Sequence, residues 1–435
     1  MENLVKTESR SYQLIVLGIY ISVFINSITF FKEPFEFYLG YLIYIVLLPG
    51  FISKYGYKRE LLTIFIILFL SGILNIILNN NTPQQFFKVF IGLTLSYFFY
   101  YYVIVEFNFD IEKLFKWYLK GAYIAALIGV FQFVSFKIGF TPGYDFRWIL
   151  NKWGFIPGGN FGIRINSIFG EPTHLGAVMS SAFFVSVYNL LFKKSYYLTK
   201  FQSVIIIVVY ILSFSGLGQT GVFLTLIFLA ISFGAVRYFI IAIPLGFFLF
   251  NVMYENSKDF RERYDSLIEL FTTGKFVLGK THGSSFILYN NYQVATENFK
   301  TNFVLGTGVG SHPVAFERFS TANHFKVYGF NLNSADANSM LLRLISETGL
   351  FGVSIFFILI FKCYIRRNEY DDSHHWLISN AILIMILLNL FRQGHYFLNG
   401  FPFFVIMYYY NYVSYQKHQQ NLLNNETPIN EIVST

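Results

Sequence analysis

Residues 164–192 read RINSIFGEPTHLGAVMSSAFFVSVYNLLF, and this stretch combines two features that decide the fold. The run from Leu175 to Phe192 is apolar and long enough to cross a bilayer as a helix. Arg164, Glu171 and His174 lie at or before the beginning of that run. Charged groups at the edge of a membrane span are costly to hold there, so they usually mark a functional site.

The rest of the chain has the composition of a membrane protein. Hydrophobic residues make up 54% of the 435 residues and charged residues only 13%, about half the charged fraction of a typical soluble protein. Apolar residues come in blocks of about 16 to 22, the length that crosses about 30 Å of hydrocarbon as a helix. Because backbone polar groups must be paired inside such segments, we predict an all-α polytopic membrane protein. The basic residues behind the net charge of +8 are scattered over loops, which does not indicate a nucleic-acid partner.

The apolar blocks predict about twelve transmembrane helices. These helices fall at about 12–31, 36–52, 61–78, 86–105, 118–136, 174–192, 201–214, 221–236, 238–254, 339–361, 376–391 and 401–415. The chain then divides into helices 1–9 (residues 1–254), a loop subdomain (255–338), helices 10–12 (339–415) and a polar, disordered cytoplasmic tail (416–435). Within the loop subdomain, residues 284–302 predict an amphipathic helix on or near the membrane face.

The distribution of basic residues predicts the orientation of the helices. An even number of spans places both termini on one side, and short loops rich in Lys and Arg mark the cytoplasm. Loops on the side of the N-terminus carry Lys54, Lys58, Arg59, Lys113, Lys116, Lys193, Lys194, Lys200, Arg237, Lys362, Arg366 and Arg367. The opposite short loops contain little beyond Lys32 and Arg392. We therefore predict cytoplasmic termini, an uncleaved N-terminal anchor and two long external segments, 137–173 and 255–338.

Three side chains of the first quoted stretch are candidates for acting on an anionic substrate. Pro172 suits the first turn of a helix, where its missing N–H costs nothing, so Glu171 precedes a positive helix terminus. One interpretation is that Glu171 only caps this helix and Arg164 is an interfacial side chain. The functional interpretation is that Arg164 binds phosphate while Glu171 or His174 transfers a proton.

Two further arginines are candidates for the same site. Arg392 opens the short turn Arg392-Gln-Gly-His395 and either snorkels to the interface or faces Arg164 across an external cavity. His395, in the same turn, is another candidate for proton transfer. Arg343 lies one turn inside the tenth predicted span and either binds phosphate or pairs with Glu347, four residues later.

Other patterns predict no separate chemistry. The stretch 306–310, Gly-Thr-Gly-Val-Gly, lacks the preceding strand and following acidic residue of a phosphate-binding loop, so we predict a turn, with His312 just after it. One short predicted cytoplasmic loop contains residue types that bind metals, Asp371, Asp372, His374 and His375. No further metal-binding motif elsewhere in the sequence matches it, so we interpret these residues as solvated surface. The single cysteine, Cys363, excludes an internal disulfide. We expect neither a metal nor a cofactor.

Three stretches together resemble the O-antigen polymerase and ligase superfamily, bacterial integral membrane glycosyltransferases. Residues 164–176 are similar to the family segment Arg-x-x-Gly-x-Phe-x-(Glu/Asn)-Pro-(Ser/Asn)-x-x-Gly, with Ser167 at the first glycine position. Residues 302–311, Asn-Phe-Val-Leu-Gly-Thr-Gly-Val-Gly-Ser, resemble the glycine stretch of the family's external loop. Residues 338–352, Asn-Ser-Met-Leu-Leu-Arg-Leu-Ile-Ser-Glu-Thr-Gly-Leu-Phe-Gly, resemble the helix that follows that loop. With the twelve-span layout, the likeness covers nearly the whole chain.

The chain also departs from the family pattern. The family's ligases carry a histidine just before the asparagine of this last helix, where this chain has Ala337. An arginine that the family often has at the outer end of the seventh and eighth spans is Gln219 here. The Glu171 variant is the more polymerase-like form. The resemblance therefore favours a polymerase over a ligase.

The resemblance implies a metal-independent enzyme at the periplasmic face of the bacterial inner membrane. It would transfer a growing glycan from undecaprenyl diphosphate to the next lipid-linked repeat unit. Its diphosphate-binding residues would be Arg164, Arg392 and Arg343, and its proton acceptor, in order of preference, Glu171, His395 or His174. The implied partners are the undecaprenyl-diphosphate-linked oligosaccharide, the lipid bilayer and a chain-length regulator protein. An O-antigen ligase and a transporter such as a lipid-linked oligosaccharide flippase are the alternatives.

Overall fold

The structure is a computed structural model that describes residues 10–31, 36–234, 247–248, 250–251, 254–255, 258–277, 280–322, 332–368 and 373–426. Within these residues the regular secondary structure is helical, apart from two isolated bridges that join Thr29 to Tyr38 and Pro157 to Ile163. The predicted all-α class is confirmed for the described part of the chain.

The helices follow one another along the chain with short connections as far as the 3-10 turn, and a long connection, residues 149–171, then leads to α7. They are α1 (Arg10–Phe24), α2 (Leu39–Tyr55), α3 (Arg59–Ile77), α4 (Pro83–Glu106), α5 (Ile111–Lys137), α6 (Thr141–Tyr144), a 3-10 turn (Phe146–Trp148), α7 (Pro172–Val178), α8 (Ser180–Leu191), α9 (Lys200–Leu212), α10 (Gly216–Ser232), α11 (Lys258–Thr273), α12 (Gly283–Thr301), α13 (His312–Phe319), α14 (Met340–Lys362), α15 (His375–Arg392) and α16 (Phe401–Glu426).

Among the described residues, five helices are long and apolar enough to cross a membrane: α3, α4, α5, α14 and α15. The pair α7 and α8 reaches that length only when taken together across a bend of 58°. Shorter apolar helices are Tyr12–Phe24 within α1, and α2, α9 and α10. The chain therefore has the helices of a membrane protein, while the predicted count of about twelve is not established. The predicted ninth span, 238–254, falls largely outside the described residues.

Local sequence explains where several helices begin. The hydroxyl of Thr82 accepts a hydrogen bond from the N–H of Gln85, and Pro83 opens α4. The side chain of Asp110 accepts from the N–H of Lys113 at the start of α5. Thr199 and Gln202 bond each other reciprocally at the start of α9. Each cap satisfies N–H groups that have no partner within the helix.

Helix α15 lies at the centre of the bundle and α3 at its periphery. In the apolar window of α15, 78% of residues are buried inside the protein, against 17% in α3. A helix that is apolar all round and buried packs against other helices, whereas an equally apolar but uncovered helix needs an apolar solvent. The low burial of α3 thus fits contact with lipid.

Helix α14 bends at Gly349, which has a φ of +59°, a conformation favourable for glycine. Beyond the bend, the N–H groups of Leu350 and Phe351 donate to the carbonyls of Phe303 and Val304 at 2.9 and 3.0 Å. The segment after α12 therefore takes over hydrogen bonds that an uninterrupted helix would make with itself. The kink is a joint between α14 and the loop subdomain.

The loop subdomain has a small core of its own, built from α11, α12 and α13. Its buried residues include Leu270, Phe286, Val294 and Phe316. The predicted helix 284–302 is confirmed as α12. Its buried face packs against the neighbouring helices α11, α13 and α14, so this face is used within the protein. Contact of the helix with the membrane stays a prediction.

The C-terminal tail differs from the prediction. Helix α16 continues to Glu426, so the predicted disorder is wrong for residues 416–426. Three Gln and two Leu residues there are good helix formers, and an existing helix is extended at little cost. Residues 427–435 lie outside the described part of the chain.

Candidate functional site

Four of the six predicted site residues come together near the start of α7 and the turn between α15 and α16. Electrostatic interactions link His174 to Glu171 and to His395. Arg392, the last residue of α15, interacts electrostatically with Glu171. The sequence places these residues in two distant segments, and the fold brings the segments side by side.

Glu171 occupies the position before α7, and Pro172 begins that helix as predicted. The Glu171 side chain makes no capping hydrogen bond. Its Oε1 lies 3.4 Å from His174 Nε2, and the side chain is 53% exposed. The interpretation that Glu171 only caps the helix through its side chain is therefore wrong. The Glu171 carboxylate remains accessible.

The hydrogen bonds of His174 define its neutral tautomer. The N–H of Gly170 donates to Asn26 Oδ1 at 3.2 Å, which turns the Asn26 NH₂ group towards His174 Nδ1 at 2.9 Å. Since an amide NH₂ can only donate, Nδ1 is the acceptor and the proton lies on Nε2, facing Glu171. Both ring nitrogens of His174 are thus engaged.

A second imidazole–carboxylate pair joins the turn after α15 to the residues before α14. His395 Nε2 lies 2.9 Å from Asp336 Oδ2, and Asp336 Oδ1 accepts from the N–H of Asn338 at 3.0 Å. Burial alone would raise the pKa of Asp336, but His395 and the hydrogen bonds hold it well below its usual value. Asp336 is therefore an ionised carboxylate at neutral pH.

A third pair ties the segment before α2 to the loop before α7. Lys152 Nζ hydrogen-bonds to Glu36 Oε2 and to the hydroxyl of Tyr38, and that hydroxyl also bonds to Glu36. Burial would raise the pKa of Glu36, but the hydrogen bonds from Lys152 and Tyr38 outweigh it, so the pKa is lowered. Lys152 and Glu36 form an ion pair that is only partly buried.

We call these three pairs the open cluster; its members are Glu36, Lys152, Glu171, His174, Asp336 and His395. Electrostatic interactions connect the pairs, because His174 interacts with Lys152 and Asp336 and Glu36 interacts with His395. The cluster contains carboxylates, imidazoles and an ammonium group within reach of one another. Such a set can accept and release protons and can bind polar substrate groups.

Arg392 lies beside the open cluster, and a second arginine, Arg263, interacts with Arg392. Arg392 Nη2 contacts the carbonyl of Ser284 at 3.4 Å, and Arg392 interacts electrostatically with Arg263 of α11. Arg263 Nη1 lies 3.6 Å from the place a Cβ on Gly216 would occupy, so this guanidinium is at the first turn of α10. Arg392 and Arg263 carry like charges that interact, and an anion bound near both would be attracted to each of them.

Arg343 has different surroundings. Arg343 and Glu347 are 2% and 0% exposed, and Arg343 Nε donates to Glu347 Oε1 at 2.9 Å. Arg343 Nη1 donates to the carbonyl of Gly394 at 2.8 Å, and its guanidinium stacks over Tyr396 at 4.5 Å. The structure contains the helical pair that the sequence offered as the alternative. A role for Arg343 at a diphosphate stays a prediction.

The glycine stretch 306–310 forms the predicted turn and packs against this buried pair. The N–H of Gly310 donates to Glu347 Oε2 at 2.9 Å, and the N–H of His312 contacts Glu347 Oε1 at 3.3 Å. His312 Nε2 bonds Asn291 Oδ1 at 3.0 Å, and burial lowers its pKa to about 3. His312 is thus a neutral, buried histidine that joins α12 to α13.

Arg164 lies in the loop before α7. Its backbone N–H donates to the carbonyl of Ile156 at 3.1 Å, and its side chain is half-buried. A Cβ on Gly158 would lie 3.6 Å from Arg164 Cδ, so these two parts of the loop are in contact. Phosphate binding by Arg164 stays a prediction.

Among the residues that the structure describes, no three His, Cys, Asp or Glu side chains form a group that could hold a metal ion. Asp371 and Asp372 lie outside the described residues. The neighbouring His374 packs against Tyr196, and His375 hydrogen-bonds to Asn411.

Sequence reasoning did not select Glu36, Lys152, Asp336 or Arg263 as site residues. Lys152, Asp336 and Arg263 lie in polar segments that resemble ordinary surface, and Glu36 lies at the start of the predicted second span. None belongs to a recognisable spacing. The nearest signal was the position of Asp336, directly before the segment 337–339 that leads into α14. Their partners are in other segments, so only a folded arrangement identifies them.

Chemically, the site offers two guanidinium groups for an anion and an adjoining set of proton acceptors. A comparison with protein-family models finds no matching family, and a comparison with curated proteins finds no match.

Proposed function

We propose that this protein is a polysaccharide polymerase of the O-antigen polymerase and ligase type. It transfers a growing glycan from undecaprenyl diphosphate to the next lipid-linked repeat unit at the periplasmic face of the bacterial inner membrane. In this proposal about twelve helices span the membrane, both termini are cytoplasmic and the loop subdomain is external. The observation that carries the proposal is that Arg392 interacts both with Glu171 of the open cluster and with a second arginine, Arg263, in a bundle of apolar helices.

The arginines suit the leaving group of this reaction. Breaking the anomeric C–O bond develops negative charge on the diphosphate, and guanidinium groups bind phosphate oxygens in a bidentate manner. Held in a partly desolvated site, such groups stabilise the transition state without reorganisation. Arg392 and Arg263 are the pair that the contacts support best, and Arg164 stays a candidate.

The open cluster suits the acceptor. The hydroxyl of the incoming sugar must lose a proton as its oxygen attacks the anomeric carbon, which requires a base within hydrogen-bond reach. Glu171 and His395 are both accessible. His174 is the weakest of the three predicted bases, because Asn26 and Glu171 engage both of its nitrogens.

The test is chain extension by purified protein in proteoliposomes. The substrate is the undecaprenyl-diphosphate-linked repeat unit extracted from cells lacking the gene. Arg392→Ala should slow extension about 10²–10³-fold, the usual cost of removing one donor to a developing charge, at a normal protein level. Lys58→Ala is the control, since Lys58 forms an exposed ion pair with Glu60, away from the proposed site. Wild-type rates in Arg392→Ala would refute the diphosphate role of that residue, and no extension by the wild type would refute the polymerase.

A flippase is the second candidate, and one observation favours it. The bend of 58° between α7 and α8 interrupts a span, and interrupted helices form the binding sites of many transporters. However, the residues around the break are buried and mostly apolar, and the polar groups lie at one helix terminus. Deleting the gene separates the functions: single repeats on the surface indicate a lost polymerase, full-length lipid-linked polymer a lost ligase, and repeats retained in the inner leaflet a lost flippase.

A further inference from the structure

The pair Asp336–His395 has a geometry that fixes the imidazole. Asp336 Oδ2 lies 2.9 Å from His395 Nε2, while Asp336 Oδ1 is held by the N–H of Asn338. Because both carboxylate oxygens have partners, the carboxylate cannot rotate freely. An ionised carboxylate only accepts hydrogen bonds, so the imidazole proton lies on Nε2 and the lone pair on Nδ1.

The lone pair of His395 is available. Within the described part of the chain, no hydrogen bond to His395 Nδ1 is formed, and the side chain is 31% exposed. His174 differs, because its Nδ1 accepts from Asn26 and its Nε2 faces Glu171. Of the two imidazoles in the open cluster, only His395 presents an unoccupied basic nitrogen.

The backbone around His395 is held from both sides. The carbonyl of Gly394 accepts from Arg343 Nη1, and the hydroxyl of Tyr396 donates to Glu347 Oε2 at 3.0 Å. A Cβ on Gly394 would lie 1.6 Å from the carbonyl oxygen of Asp336, so only glycine allows this approach. The buried pair thus positions the turn that carries His395.

We propose that His395 Nδ1 is the general base of the transfer reaction and that Asp336 is the positioning residue that sets its tautomer and orientation. This inference rests on the proposed function. The acceptor O–H bond breaks and its proton goes to Nδ1, while the acceptor oxygen bonds to the anomeric carbon. The anomeric C–O bond breaks and its electron pair leaves with undecaprenyl diphosphate. The imidazolium that forms is stabilised by Asp336 and releases its proton to water after product departure.

Other charged groups also face this pair. Glu36 and His174 interact electrostatically with His395, and Arg343 and Tyr38 interact with Asp336. Asp336 is the only one of these that hydrogen-bonds to the imidazole among the described residues. Its removal should therefore change the proton-accepting step more than removal of Glu36.

The experiment measures kcat against pH with the same repeat-unit substrate. The wild type should lose activity at acidic pH as the base becomes protonated. His395→Gln should lower kcat about 10²–10⁴-fold and abolish that acidic limb. Asp336→Asn should lower kcat about 10²-fold and move the limb to lower pH, because the imidazolium loses its negative neighbour. The double variant should be no slower than His395→Gln alone, since the two residues act as one unit.

Asp145→Asn is the matched control, because it removes a loop carboxylate whose partner among the described residues is Arg147 and should leave kcat unchanged. A folding defect would lower kcat without moving the limb, and that result in Asp336→Asn would overturn the positioning role. A limb that survives in His395→Gln but disappears in Glu171→Gln would overturn the base assignment and give it to Glu171. Both results leave the polymerase proposal intact, whereas failure of the wild type to extend chains defeats the polymerase itself.

Discussion

Two sets of charged residues meet at the turn after α15, the buried pair Arg343–Glu347 and the open cluster. They differ in how many of their hydrogen-bonding atoms have partners. The Glu347 carboxylate accepts four hydrogen bonds, from Arg343, Gly310, His312 and Tyr396. The open cluster is arranged in pairs that are partly exposed and keep some acceptor atoms available. Glu171 and His395 can therefore meet a substrate, whereas Glu347 has no remaining capacity.

The difference shows how an intramembrane charge is to be interpreted. A charge at membrane depth usually indicates function, but a buried charge with every hydrogen bond satisfied is also a means of joining segments. Arg343 and Glu347 connect α14, the glycine turn and the turn after α15. Catalytic groups need partial exposure. The buried pair instead holds the turn that carries His395, through its contacts with Gly394 and Tyr396.

The largest effect on stability is expected from a substitution in the buried pair Arg343–Glu347. Glu347→Ala leaves the Arg343 guanidinium buried without its anion, which typically costs about 3–5 kcal/mol. We expect a large loss in the free energy of unfolding, measured by denaturant titration in detergent. Glu297→Ala is the control, because Glu297 forms an exposed pair with Lys300 and should cost less than about 0.5 kcal/mol. Equal stability of the two variants would contradict a supporting role for the buried pair.

A smaller effect is expected where the buried pair meets the open cluster. Gly394→Ala introduces a Cβ that would lie 1.6 Å from the Asp336 carbonyl, so the two segments must separate at a cost of about 1–3 kcal/mol. Thermal unfolding and kcat should both decline. Gly283→Ala, where a Cβ meets no atom within 4 Å, should be neutral. If Gly394→Ala retained full activity, close contact of the segments would not be required.

The stability of the loop subdomain should depend on pH through His312, which is buried next to Glu347. Folded His312 stays neutral down to about pH 3, whereas the unfolded side chain takes up a proton near pH 6.5. The unfolded state binds more protons between these values, so stability falls as the pH is lowered through this window, by about 1 kcal/mol from pH 6.5 to 5.5. Hydrogen exchange in α12 and α13 measures the loss. His312→Gln does not titrate and should remove this part of the pH dependence.

The smallest stability effect is expected at Glu171. Its side chain makes no capping bond, so Glu171→Ala should change the free energy of unfolding by less than about 0.5 kcal/mol. Thr199→Ala removes a genuine capping box and should cost about 1 kcal/mol. Denaturant titration compares the two. A larger loss for Glu171→Ala than for Thr199→Ala would restore the capping interpretation.

Part of the fold and of the site could be predicted because the signals were local. Proline at position 172 predicted the start of α7, and the pattern of residues 284–302 predicted α12 within about one residue of Gly283–Thr301. The tail beyond residue 416 was interpreted from its polarity, although its Gln and Leu residues are good helix formers and α16 had only to be extended. The count of spans was less secure because α1, α2, α9 and α10 are short apolar helices and the predicted ninth span lies largely outside the described residues.

The sequence by itself determined the helical, membrane-type character of the chain, since hydrophobic content and block length act within one segment. It also placed Glu171, His174, Arg392 and His395 as candidates. Only the tertiary structure decided that Asp336 holds His395, that Lys152 meets Glu36 and that Arg343 is enclosed by Glu347. The physical reason is that the strength of a charge pair depends on distance, burial and hydrogen-bond partners. Those quantities are set when separate segments pack together, and no residue spacing along the chain encodes them.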